Sequence, residues 1–305
     1  MDEQLIGNYK NFLNNGKTER ECVQQITAMA EKAGYKDISK FKKIKKGDKV
    51  YVQKMNKAVV LFEIGKDSLE DGMNILGAHI DSPRLDVKQN PLYEKDCITY
   101  LNTHYYGGIK KYQWVTLPLA IHGVVCKTDG KVIQVKIGED DNDPVFCISD
   151  ILPHLAQDQL KEKASDFIPG ENLDIIAGSV NPLKKNAASD TAETKESKEK
   201  DRSRKLVLKL LKEKYNIDED DFSSAELEVV PAGKARDCGF DASLILGYGQ
   251  DDRSCAYTSV AAMLASKASK RTNCCLCVDK EEIGSVGATG MGSHLFENAV
   301  AEIIA

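Results

Sequence analysis

Apolar positions recur along the chain in different rhythms, and each rhythm predicts a different element. Thr18 opens a T-x-x-E capping box with Glu21, and Cys22, Ile26, Met29 and Ala30 then fall at helical spacing until Gly34 stops the run. An amphipathic helix is predicted there. Residues 58–64 and 73–78 are instead short, nearly continuous apolar runs bounded by turn residues, the pattern of buried strands. From about Tyr93 the texture changes to several β-like runs, 98–101, 114–126, 131–137 and 145–148, separated by Gly, Asp and Asn turns. This segment reads as a β-rich insert. Residues 184–205 hold no aromatic and almost nothing apolar, which predicts a mobile loop. Residues 206–215 show helical spacing and 226–230 a strand. The strand and helix alternation then resumes with strands at 244–246 and 274–278 around a helix at 254–266.

These elements predict an α/β protein with a mixed sheet flanked by helices and a β-rich domain inserted into it. The expected boundaries are 1–93 and 233–305 for the two parts of the α/β domain and 94–232 for the insert. A content of 42% hydrophobic and 29% charged residues over 305 residues is enough to build two cores. The 42 Lys and Arg against 47 Asp and Glu leave a formal charge of −5, which argues against a generally basic nucleic-acid binder. No apolar stretch approaches the roughly 20 residues that cross a bilayer, so no membrane association is expected. The acidic start, MDEQLIGNYKNF, lacks the basic and compact apolar regions of a secretion signal. A cytoplasmic protein with reduced thiols is the expectation, supported by an odd count of nine cysteines.

Candidate chemistry collects at the ends of three predicted strands, where open α/β sheets place ligand sites. In His79-x-Asp81 the carboxylate can orient its neighbour, as acids commonly do for a metal-bound imidazole; the alternative is an exposed loop His beside a turn Asp. Asp251-Asp252 stands where a strand turns into a helix, so one carboxylate can enter a site and bridge cations, or simply cap the helix, with Arg253 neutralising the second acid. Glu281-Glu282 closes an apolar run, where adjacent like charges are costly unless a cation is present; a solvated strand end is the alternative. Other patterns carry less. Cys274 and Cys277 have zinc-pair spacing but lie within a predicted strand and read as buried thiols. The glycines at 284, 287, 290 and 292 lack a phosphate-binding motif and suggest close packing or backbone amides near a substrate. His104 and His122 read as structural, and no G-x-S-x-G elbow supports a serine triad.

Five segments are recognisable together: GAHIDSPRLDVK (77–88), YYGGIKKYQW (105–114), SDILPHLA (149–156), GQDDRSCAYTS (249–259) and DKEEIGSVGATG (279–290). With them the chain resembles the aspartyl aminopeptidase family of di-zinc metallopeptidases, over almost its whole length and in the family's order. The resemblance implies a zinc-peptidase-like core that releases N-terminal amino acids from peptides. It implies two zinc ions, with manganese or cobalt as substitutes in vitro. His79 would bind one zinc, Asp251 would bridge both and Glu282 would bind the second. Glu281 would be the general base and Asp81 the support of His79. His154, in the insert, would help complete a neighbouring subunit's substrate pocket in a homo-oligomer built through that insert. Family members continue past the position of Ala305 and supply there a further Asp and a His ligand, and His294 is too near Glu282 in sequence to be taken as a substitute. Weak metal binding and little activity are therefore expected of these 305 residues alone. Two other readings are a non-catalytic oligomerisation subunit and a di-zinc hydrolase of acyl-amino groups.

Overall fold

Helix α1 (Glu3–Asn15) and helix α2 (Glu19–Lys32) are separated by a three-residue corner whose last member, Thr18, caps α2. The Thr18 side chain accepts from the Glu21 amide and the Glu21 carboxylate accepts from the Thr18 amide, so the expected capping box is formed. The structure, a computed structural model, describes residues 3–179, 201–267 and 269–305. The chain then runs through β1 (Lys36–Asp37), β2 (Lys49–Lys54), β3 (Ala58–Glu63) and β4 (Met73–His79). Strands β5 (Arg84–Lys95), β6 (Ile98–Tyr106), β7 (Leu119–Cys126), β8 (Val132–Ile137) and β9 (Ile175–Ser179) follow, then helix α3 (Arg202–Tyr215) and β10 (Ala225–Pro231). The final part holds β11 (Arg236–Cys238), β12 (Leu244–Leu246), α4 (Gln250–Ala265), β13 (Thr272–Val278) and α5 (Leu295–Ile304).

Two compact units result, residues 1–83 with 234–305, and residues 84–233. The first carries a five-stranded mixed sheet in the order β1-β2-β3-β13-β4, in which β13 runs antiparallel to β3 and parallel to β4. Its central strands are apolar on both faces because helices cover both. Val59, Leu61, Cys275 and Cys277 face Phe12, Ile26, Ala256 and Val260 of α1, α2 and α4. Val60, Phe62, Cys274 and Leu276 face Ala299 and Ile303 of α5. Cys274 and Cys277 thus lie on opposite faces, as the period of two requires. Strand β4 is an edge strand, and Ile75 and Leu76 on it are exposed. Among the described residues no helix is long and apolar enough to cross a membrane.

The second unit is a six-stranded antiparallel sheet in the order β8-β7-β10-β5-β6-β9. Leu85, Leu119, Leu173, Ile175 and Val229 are fully buried in its core. The expected boundary after residue 93 falls inside β5, all of which belongs to this sheet, so the structural division comes earlier, between Pro83 and Arg84. Residues 145–148 form only isolated bridges, Leu119 with Phe146 and Val115 with Ile148, in place of a strand. The expected loop at 184–205 lies outside the described residues up to 200, and from Arg202 onward the chain is already helical.

Gly123 lies on β7 opposite Leu227 of β10, with φ +142°. A Cβ there would stand 1.9 Å from the Glu226 carbonyl oxygen. Gly123→Ala is therefore expected to destabilise the protein by more than about 1 kcal/mol, measured by urea unfolding; an unchanged midpoint would refute this account of the glycine.

Candidate metal centre

The parallel pairing of β4 and β13 sets Val278 beside His79, and the Ile80 amide donates to the Val278 carbonyl at 2.8 Å. Both strands therefore release their chains at the same end of the sheet, one into His79–Pro83 and the other into Asp279–Glu282. The first turn of α4 approaches the same end. Gly249 is left-handed, with φ +75°, and Asp251 and Asp252 depart from helical geometry across a cis peptide bond. These three chain ends bring together all the candidates of the first unit. His79 Nε2 lies 3.2 Å from Asp251 Oδ1 and 3.8 Å from Glu281 Oε2. One ligand atom each from His79, Glu281 and Glu282 lie within 4.8 Å of one another.

Asp81 has more partners than the sequence indicated. Its side chain is fully buried, and Oδ1 lies 3.3 Å from His79 Nδ1, which directs Nε2 of the ring toward the acids. The same carboxylate accepts from the amides of Glu281 at 3.3 Å and Glu282 at 3.2 Å. One group thus orients the imidazole and pins the turn that carries both glutamates. That turn is tight: Lys280 has φ +70°, Gly284 φ +88° and Ser285 φ +59°. Gly290 and Gly292 pack on it, since a Cβ on either would stand under 3 Å from the Ser285 carbonyl oxygen. Close packing thus holds for these two glycines, whereas a Cβ on Gly284 or Gly287 would meet nothing within 4 Å.

Crowded acids perturb one another. Burial alone would lower the His79 pKa, but its hydrogen bond with Asp81 and the charges of Asp81 and Glu281 raise it to about 9. Burial, joined by the charges of Asp81, Asp251 and Glu281, raises the Glu282 carboxyl against the opposing pull of His79. Carboxylates converging on an imidazole nitrogen form the nitrogen and oxygen donor set that suits zinc, and a divalent cation would offset their repulsion.

Other residues play parts outside this cluster of imidazole and acids. Arg253 turns its guanidinium inward to donate to Cys22 Sγ at 3.1 Å and the Lys17 carbonyl at 2.9 Å, a placement that the sequence reading as neutraliser of an acid did not anticipate. Ser82, unnoticed in the sequence although it follows Asp81 directly, donates to the Asp251 carbonyl at 2.8 Å. His154 lies in the other unit, exposed, in the segment after Asp150. His294 is the residue before α5 and contacts Glu297, its neighbour on that helix, at 2.5 Å.

Residues 12–305 match the model of the family described as Aminopeptidase I zinc metalloprotease (M18). A probable M18 family aminopeptidase 1 of Clostridium acetobutylicum is 58% identical over 300 residues, covering 97% of this chain and 62% of that protein. The crystal structure of an M18 family aminopeptidase from Thermotoga maritima superimposes with a TM-score of 0.89 at 41% identity, covering all of this chain and 64% of the other. The S. cerevisiae mApe1 dodecamer, at 17% identity, shares the fold with a TM-score of 0.71. The chain thus spans under two thirds of the length of these relatives.

Asp81→Ala leaves the Glu281 and Glu282 amides without this acceptor, at an expected cost of about 1–3 kcal/mol for each amide left unpaired. Asp81→Asn, which keeps one carbonyl oxygen, should lose less. Chemical denaturation reads both, and equal stability of Asp81→Ala and the wild type would sink the assignment.

Proposed function

The chain belongs to the M18 aminopeptidase I family of zinc metalloproteases, and we propose that it carries the catalytic metal centre of an aminopeptidase that removes N-terminal residues from peptides. The observation that carries this reading is the approach of Asp251 and Glu281 to His79 Nε2, with a Glu282 ligand atom within 4.8 Å of those of His79 and Glu281. His79 and Glu282 would hold one zinc ion each, with Asp251 shared between two. Zinc supplies Lewis acidity there, polarising a peptide carbonyl and easing ionisation of water.

The chain's own groups do the rest. Asp81 holds His79 Nδ1, so that Nε2 stays directed at the acids. Glu281 would take the proton of the attacking water and return it to the departing amine, a role that its half-exposed carboxylate, 3.8 Å from His79 Nε2, supports. Glu282 differs in being more buried and in accepting a charge only against the neighbouring acids, a character suited to a ligand.

The inserted unit is assigned to homo-oligomer formation, with His154 reaching a neighbouring subunit's substrate pocket. A protein of the same fold forms a dodecamer, which supports this reading. The cytoplasm is the proposed location, in keeping with nine cysteines that all stand as thiols.

Zinc titration by calorimetry should give binding that His79→Ala weakens at least tenfold. Zinc-independent behaviour of both proteins would overturn the metal centre. The little turnover expected of these residues on unblocked peptides should fall roughly 10²–10⁴-fold further in Glu281→Gln, with zinc retained. Equal turnover would remove Glu281 as the base, and preference for N-acylated substrates would replace the aminopeptidase with an acyl-amino hydrolase.

A further inference from the structure

Asp251 presents its carboxylate from a turn that is not helical, and its side chain is 88% exposed. Packing of the carboxylate itself therefore does little to fix where it points. The turn is fixed from below instead. Ser82, 1% exposed, donates from Oγ to the Asp251 carbonyl oxygen at 2.8 Å and so ties the main chain of Asp251 to the loop that follows His79 and Asp81. On the same loop, the Pro83 carbonyl accepts from the Tyr248 hydroxyl at 2.9 Å.

Arg253, also 1% exposed, fills the space beneath Gly249. A Cβ on Gly249 would stand 1.5 Å from Arg253 Nη1 and 3.2 Å from Ser82 Oγ, so the turn, the guanidinium and the serine hydroxyl meet in one packed contact. The far side of the guanidinium is anchored at the α1–α2 corner, through Nε to Cys22 Sγ and Nη2 to the Lys17 carbonyl. Cys22 Sγ in turn lies 3.3 Å from the Gly16 carbonyl. A buried guanidinium is expensive to desolvate and demands fixed partners. Its planar fork, held at several points, makes it a rigid shim rather than a mobile side chain.

We propose that Ser82 and Arg253 are positioning residues for Asp251, setting the main chain of the Tyr248–Asp252 turn so that the Asp251 carboxylate meets His79 Nε2. The proposal rests on the metal centre described above. Neither residue touches the reacting groups; both act through the turn.

Cobalt(II) reports coordination directly through its visible absorption and can be titrated without substrate. Ser82→Ala removes only a hydroxyl and Arg253→Met keeps much of the buried volume. Each is expected to weaken cobalt affinity roughly tenfold or more, as loss of groups supporting metal ligands does, and to alter the visible band in the manner of Asp251→Asn. Val260→Ala, a core truncation further along α4, should lower the melting temperature without moving either cobalt reading. Wild-type affinity and spectrum in Ser82→Ala and Arg253→Met would overturn the proposal, as would an equal loss of affinity in Val260→Ala. Asp251→Asn indistinguishable from wild type would instead strike the underlying metal-centre reading, and the positioning proposal with it.

Discussion

The fully buried carboxylate of Asp81 is the constraint on which the candidate site depends. A carboxylate taken out of water is costly unless its oxygens are satisfied by donors of fixed geometry. Here the donors are an imidazole on its own strand end and two consecutive amides from a turn 200 residues away in sequence. Satisfying Asp81 therefore also sets the mutual placement of His79, Glu281 and Glu282. The same interaction serves stability and site geometry, and loss of either cannot be separated from loss of the other.

That interaction is possible only because β4 and β13 are parallel and in register at Val278 and His79. Parallel neighbours end on the same side, so each delivers polar residues to one rim of the sheet. The inserted unit begins at Arg84, immediately after His79–Pro83, and the chain returns at Lys234 with the Asp251 turn still ahead. The insertion thus falls beside the site in the chain, where a loop can be lengthened at small entropic cost without disturbing the strands.

Much of this was legible because the signals are local. The capping box at Thr18 and Glu21, the apolar runs of β3, β4 and β13, and the acids that end those runs all follow from short-range chemistry. What escaped depends on partners distant in sequence. Strand β5 escaped because the polar stretch Lys88-Gln89-Asn90-Pro91 interrupts its apolar positions; in the sheet this stretch lies where the β5–β6 register shifts, between Val87 and Leu92, and there a proline without an amide is tolerated. Residues 145–148 have strand composition, yet only Phe146 and Ile148 find bridges. Arg253 follows two aspartates, so neutralising one of them was the simple reading; only the α1–α2 corner, with Cys22 and the Lys17 carbonyl, reveals why the side chain turns inward.

The electrostatics at the rim follow from the core beneath it. Strand β13 is covered on both faces, so almost every position from Thr272 to Val278 is buried and a charge within the run would have no water. The first ionisable residue past Val278, Asp279, is itself buried, with its pKa raised by burial and by Glu19 and moderated by Thr289, Lys280 and Lys57. The chain reaches partial solvent at Lys280 and is exposed at Glu281, where the Asp81 carboxylate holds the turn against His79 rather than letting it extend outward. The acids are thus crowded by two requirements acting together, an apolar sheet that excludes charge and a buried carboxylate that gathers the amides of the next turn. Burial raises the Glu282 carboxyl first and the neighbouring acids add to it, whereas at His79 burial pulls the pKa down and the Asp81 hydrogen bond with the Asp81 and Glu281 charges outweighs it. A rim that gathers one imidazole and several carboxylates within a few ångströms is one whose geometry is organised around positive charge.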